Sequence, residues 1–277
     1  VIDLDASGLA SGPLATWPNS GAMGGSFVAG PAVAEVSRVA GANGVTLDGE
    51  SQYYTGPVSP LFLTGNPSMT VDAWIYNAVV EDEETLLSWG RRGGNPDGSN
   101  MAFGHGLNAA YGAAGHWGAP DIGWNDTTVE AQWTYVAYSY DPAVGLGTGT
   151  LYTDGVQANQ EENGPLAIHA VDSTAEALPL LIRLGAQNST TGGVDLGQAG
   201  AFTISRVRVY DTALSAVEIQ SIYTAELPGY QGGNEAEIDS VVRVGNQVTF
   251  TWTGPAGGSY TVEASNDAAS GYGAVAT

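Results

Sequence analysis

The sequence predicts an all-β fold of antiparallel strands, and three observations predict it. Apolar and polar residues alternate with a period of two along most of the chain, the spacing that turns one face of a pleated strand toward a core. The runs are broken by clusters of Gly, Asn, Asp and Pro, with 40 Gly and 13 Pro among 277 residues, which is turn chemistry. Seven Trp and 13 Tyr supply large side chains for a packed interior, so the composition is that of a folded chain.

The clearest strand patterns lie at residues 68–76, 84–90, 132–141, 149–157, 180–186 and 200–210. Within the last, Phe202 and Ile204 occupy even positions whereas Val207 and Val209 occupy odd ones. One extra residue, a β-bulge near Ser205 and Arg206, restores the phase. Residues 214–223 change period: Ser215 and Glu218 form a capping box, and Val217, Ile219, Ile222 and Tyr223 make an apolar stripe. This predicts a helix of about three turns over 215–224, packed on a sheet edge. Residues 227–234, LPGYQGGN, read as connecting chain. Beyond them 237–244, 247–253 and 259–265 alternate again, too short a stretch for a sandwich. The expected organisation is a main domain over 1–228, a linker over 229–236 and a β segment over 237–277.

Charge narrows function. The chain carries 29 Asp and Glu against 7 basic residues, all Arg, for a formal net charge of −22. Such a surface repels phosphate backbones and anionic lipid, which argues against nucleic-acid partners and membrane docking. No apolar run approaches the roughly 20 residues of a membrane span. Without Cys or Lys there are no disulfides, thiolate metal sites, thiol nucleophiles or Schiff bases. The chain opens on Val1-Ile2-Asp3-Leu4-Asp5, so any secretion signal is expected to have been removed or to lie outside this piece.

Specific motifs carry a resemblance. Met69-Thr70-Val71-Asp72-Ala73-Trp74-Ile75-Tyr76, Trp133-Thr134-Tyr135-Val136-Ala137-Tyr138-Ser139-Tyr140-Asp141, Leu151-Tyr152-Thr153-Asp154-Gly155-Val156, and the strand-plus-helix from Ile204 to Ser215 resemble a laminin G-like domain of the concanavalin A-like jelly-roll group. The resemblance covers residues 1–228 and implies a jelly-roll sandwich of two curved antiparallel sheets with one short helix. The tail resembles the start of an immunoglobulin- or fibronectin-like repeat of large bacterial surface proteins. Together these imply a secreted or cell-surface module that binds carbohydrate or a surface protein, with self-association through the tail as a further expectation.

The resemblance also implies calcium as a structural ion at one edge, with Glu81-Asp82-Glu83-Glu84 as the first loop and Ala186-Gln187-Asn188 as the second. Asp82, Glu83, Gln187 and Asn188 are the expected ligands, although Ala186 and Asn188 stand where the related pattern has acids. Calcium takes six to eight oxygens, which carboxylates, amides and carbonyls can supply; a solvated acidic turn is the alternative. Asp48 is a less specific ligand or a turn former.

Arg91, Arg92, His116, Trp117, Asp121 and Trp124 form the candidate ligand site. Trp rings beside guanidinium, imidazole and carboxylate groups suit a sugar or a peptide, the ring giving apolar area and the polar atoms fixing orientation. In that reading His116 makes binding depend on pH within its ordinary titration range. The alternative is internal bracing by ion pairs. Catalysis has little support: no Gly-x-Ser-x-Gly elbow and no His-Glu-x-x-His are present. The alternating Glu235, Glu237 and Asp239 resemble a glycosidase triplet but fall in the linker and tail. Asn188-Ser189-Thr190 is a glycosylation sequon. The favoured expectation is a non-catalytic binding module, with a surface tile or filament subunit as the competing class and a polysaccharide-active enzyme third.

Overall fold

The computed structural model describes residues 1–93, 96, 98–118, 121–162 and 164–231, and the backbone of 237–244, 247–253, 262–264 and 273–276. The first seven strands are β1 (Ile2–Asp5), β2 (Gly12–Pro13), β3 (Thr16–Pro18), β4 (Ser26–Ala29), β5 (Glu35–Val39), β6 (Ala42–Thr46) and β7 (Tyr54–Val58). A 3-10 turn at Leu61–Leu63 leads to β8 (Met69–Tyr76), β9 (Thr85–Gly90), β10 (Asn100–Gly104), β11 (Ala114–Gly115) and β12 (Trp133–Asp141). Then come β13 (Thr148–Thr153), β14 (Val156–Glu162), β15 (Leu181–Leu184), β16 (Gln187–Asn188), β17 (Val194–Asp195), β18 (Thr203–Tyr210) and the helix α1 (Ala216–Glu226).

Sixteen of these strands form two antiparallel sheets, β16 and β17 pairing separately with each other. One has nine strands in the order β14-β13-β12-β8-β18-β6-β5-β2, with β1 also paired to β18; the other has seven, β11-β10-β9-β15-β7-β4-β3. Alternation builds the core between them. Met69, Val71, Ala73 and Ile75 of β8 and Val136, Tyr138 and Tyr140 of β12 point inward, as do Leu87 and Trp89 of β9 and Met101 and Phe103 of β10. This is the jelly-roll sandwich that the period-two pattern and the motifs predict.

Local details follow the sequence closely at two points. The register of β18 against β8 shifts between Ile204 and Arg206, so Val207 and Val209 face the core while Arg206 and Arg208 face away. Ser215 caps α1, its side chain accepting from the Glu218 N–H while the Glu218 carboxylate accepts from the Ser215 N–H.

Two expectations are corrected. Residues 149–157 are two strands, because Asp154 (φ 50°) and Gly155 (φ 76°) both take the left-handed conformation of a tight hairpin turn. The helix lies across the outer face of the nine-stranded sheet, not at its edge, and its contacts are narrower than the stripe implied. Ile219 is buried and Tyr223 stacks on Trp74 at 5.8 Å, whereas Val217 is 75% exposed.

The chain divides into two compact units, Val1–Leu227 and Pro228–Thr277. In the second, β19 (Glu237–Val244) pairs with β20 (Gln247–Thr253), and β21 (Val262–Ala264) with β22 (Gly273–Ala276). Glu235 and most of the expected linker, 232–236, lie outside the described residues, as do the side chains of Glu237 and Asp239.

Candidate functional site

The site lies on the face of the seven-stranded sheet turned away from the core. Because Met101 and Phe103 point inward, their neighbours Asn100 and Ala102 point outward, and Ala102 pairs with Gly115 of β11. Across this surface runs a cleft of about 280 Å³. Asn100, Ala102 and Gly115 line it together with Tyr111, Gln187, Gln198, Arg92, Trp117 and Asp121. A Cβ built on Gly115 would make only ordinary van der Waals contacts, at 3.9–4.0 Å from Tyr111 and Ala102, so a methyl fits there without a clash.

Alternation continues past β11 and divides two neighbouring candidates. His116 turns inward and is fully buried, and Trp117 turns outward and is 46% exposed. The turn that achieves this is held by Asp121, whose Oδ1 accepts from the His116 N–H at 2.5 Å and whose Oδ2 accepts from the Gly118 N–H at 3.2 Å. Trp117 sits there at φ 63°, a region that costs a residue with a Cβ roughly 1 kcal/mol or more. Its ring lies 5.6 Å from the Arg92 guanidinium, which also pairs with Asp195 at 3.3 Å.

His116 supports the site from beneath. Its Nδ1–H donates to the Asn100 carbonyl at 2.8 Å, and its Nε2 therefore accepts from the Tyr138 hydroxyl at 3.0 Å. Desolvation pushes its pKa down to about 4, the Asn100 hydrogen bond opposing this only in part. The expectation that His116 titrates near its ordinary range and touches ligand is thereby corrected: it is a neutral positioning group for the Asn100 backbone. Trp124 is likewise corrected. It is buried, donates from Nε1 to the Gly104 carbonyl at 3.2 Å and packs on Phe103 and His105. Arg91 turns to His169, with Nη2 and Nε2 3.3 Å apart, and does not line the cleft.

Of the residues expected to hold calcium, Glu83 and Gln187 come together and Asn188 is bonded elsewhere. Asn188 is fully buried, its Nδ2 donating to the carbonyls of Gly90 and Leu181 and its Oδ1 accepting from Arg183 Nε at 2.9 Å. A guanidinium on that oxygen does not fit a cation ligand, and a buried, bonded amide does not fit a glycosylation acceptor. Gln187 and Glu83 are joined through Gln198, and Asp82 is exposed. Glu84 is buried and accepts from Asn77 Nδ2 and the N–H groups of Glu81 and Ala201. Among the described residues no group of three or more His, Asp or Glu side chains is placed to hold a metal ion. Asp48 is a turn former: Oδ1 accepts from the N–H groups of Glu50, Ser51 and Gln52. No described helix is long and apolar enough to cross a membrane.

Asn100, Tyr111, Gln198 and Gly115 escaped sequence reasoning. The alternation of Met101 and Phe103 with Asn100, Ala102 and Gly104 is the signal that marks Asn100 as outward-facing.

Similar structures share this architecture. Domain 4 of AbnA, an extracellular arabinanase from Geobacillus stearothermophilus solved with arabinotriose, matches at 16% identity and a TM-score of 0.50, over 77% of this chain and 98% of its own. The receptor-binding domain of botulinum neurotoxin D matches at 10% identity and a TM-score of 0.51, over 82% of this chain and 52% of its own. Trypanosoma rangeli sialidase in complex with sialic acid matches at 18% identity and a TM-score of 0.51, over 83% of this chain and 33% of its own. At these identities the likeness is one of fold. No curated protein matches the chain. The family model matches residues 48–220, more than half of the sequence, and so the chain belongs to the Laminin_G_3 family of the Concanavalin A-like lectin/glucanases superfamily.

Proposed function

We propose that the main unit is a non-catalytic carbohydrate-binding module that acts outside the cell, with the cleft beside Trp117 as its site. The observation that carries this reading is Trp117 itself. A large apolar ring stands 46% exposed, in a left-handed backbone conformation, at the rim of a cleft lined by amides and a Tyr. An aromatic platform beside hydrogen-bonding side chains is suited to the apolar face and hydroxyl rim of a sugar ring. The fold neighbour solved with arabinotriose is consistent with this use of the architecture.

The carboxylates near the cleft favour binding over hydrolysis. Glycosidases free one carboxyl for proton transfer and another for nucleophilic or base chemistry. Here Asp121 is occupied by two backbone N–H groups, and Glu83 by Tyr111 and Gln198.

The test is a screen against an oligosaccharide array followed by calorimetry on the strongest hit, with Trp117→Ala and Gly115→Leu. The first removes the platform; the second adds bulk to the cleft lining at a position where a Cβ meets nothing nearer than 3.9 Å. Both should weaken binding by about tenfold or more while leaving the melting temperature unchanged. An array without hits, or two variants that bind like the parent, would remove the proposal.

A further inference from the structure

The polar wall of the cleft is a chain of amides with a direction. Glu83 stands at one end, its two oxygens accepting from the Tyr111 hydroxyl and from Gln198 Nε2. Gln198 Oε1 accepts from Gln187 Nε2 at 2.6 Å, and the same Nε2 donates to Thr85 Oγ1 at 2.8 Å. Gln187 Oε1 in turn accepts from Asn100 Nδ2 at 2.9 Å. Amide oxygen and nitrogen are told apart by such networks, and here the end group decides. An ionised carboxylate can only accept, so Gln198 must turn its NH₂ toward Glu83 and its oxygen toward Gln187. Each step forces the next. The atom left over at the far end is Asn100 Oδ1, which has no hydrogen-bond partner among the described residues although the side chain is 2% exposed and lines the cleft.

A buried acceptor without a partner is costly, and what relieves it is a donor. Resting on the carbohydrate reading above, we infer that the cleft selects an uncharged, hydroxyl-rich glycan and rejects one that presents a carboxylate, sulfate or phosphate at Asn100. A sugar hydroxyl that displaces the wall enough to uncover Oδ1, an atom covered in the unliganded chain, donates to it. An anionic group would set its own lone pairs against it. The surroundings act in the same sense: Asp121 lines the cleft, and Arg92, the one Arg among its described lining residues, already shares its charge with Asp195 and the Trp117 ring. The chain as a whole, at −22, repels anions before contact.

The experiment is an array that pairs neutral gluco-, manno-, galacto- and arabino-oligosaccharides with uronic-acid, sialylated and sulfated counterparts. Calorimetry on the best matched pair at low and high salt follows. Neutral members should bind with an affinity independent of salt, and acidic counterparts about tenfold or more weakly, the penalty of an unmet buried acceptor. Glu83→Gln removes the group that sets the direction, lets the amides reverse, and should narrow the ratio between neutral and acidic partners. Acidic glycans bound most tightly, with that binding lost in Trp117→Ala, would leave the carbohydrate reading standing and overturn this inference. A folded Glu83→Gln variant that keeps the full ratio would also overturn it. Absence of binding to either set overturns both readings. Should Glu83→Gln fail to fold, the comparison of matched glycans on the parent protein decides alone.

Discussion

On the outer face of the nine-stranded sheet, beneath α1, Asp72, Arg206, Arg208 and Glu226 are all paired within the protein, whereas the outer face of the seven-stranded sheet keeps an acceptor unmet. Under α1, Arg208 lies between Asp72 at 2.7 Å and Glu226 at 2.6 Å, and Asp72 also accepts from the Tyr135 hydroxyl at 2.9 Å. Glu226 further accepts from Trp74 Nε1 at 2.9 Å and Arg206 at 3.0 Å, and Arg206 holds Asp3 in a two-pronged pair at 2.8 and 3.0 Å. Aromatic rings, buried charges and amides occur on both faces. What separates a clasp from a binding surface is whether those groups are already satisfied. Trp74 is covered by Tyr223, while Trp117 stands open.

The largest test of this contrast is Arg208→Leu. It leaves Asp72 buried without its cation, a carboxyl whose pKa is already raised by desolvation, with Arg208 opposing. The expected cost is about 3–5 kcal/mol in denaturant unfolding. A loss below about 1 kcal/mol would show that the clasp does not hold the helix face together.

Acid comes next and acts between the sheets. Burial lowers the pKa of both His105 and His116 to about 4. The unfolded chain, with His near 6.5, therefore takes up protons first. Stability is full above about pH 6.5 and falls as pH drops toward about 4, by on the order of 3 kcal/mol per histidine. The imidazole proton resonances of both residues should stay flat on titration through pH 6, and glycan affinity should not follow an ordinary histidine curve.

Ser215→Ala removes the cap of α1 and should cost about 1 kcal/mol, read from the melting curve. The smallest effect belongs to the open face. Trp117→Gly should leave stability unchanged or raise it by about 1 kcal/mol, since glycine accepts φ 63° without strain. A substantial loss there would make Trp117 a structural residue after all.

Legibility in the sequence followed the range of the signal. The bulge at Ser205 and the box formed by Ser215 and Glu218 were readable because a phase change and a capping pattern are local. The hairpin at Asp154-Gly155 was also local, an Asp-Gly turn signal that one uninterrupted strand over 149–157 passes over. Val217 fits a helical stripe, but the narrow contact of α1 is set by Ile219, Tyr223 and the clasp at Glu226, which join it to strands far away in sequence. At the cleft, crowding along the chain singled out Arg92, Trp117 and Asp121, and the same crowding swept in His116 and Trp124. One step of strand alternation sends His116 to the opposite side from Trp117. Asn100, Gln187 and Gln198 come from three separate segments, and only the sheet topology brings their amides together.

Gly115 gives the cleft a property of a different kind. Its backbone is not among those with positive φ, and an added Cβ would meet only ordinary contacts at 3.9–4.0 Å, so a side chain can start there without strain. In the laboratory that freedom is a ruler: on the carbohydrate proposal, a series from Ala through Ser and Val to Leu should shorten the accepted ligand step by step, and the length at which binding fails reports the depth of the cleft at this position.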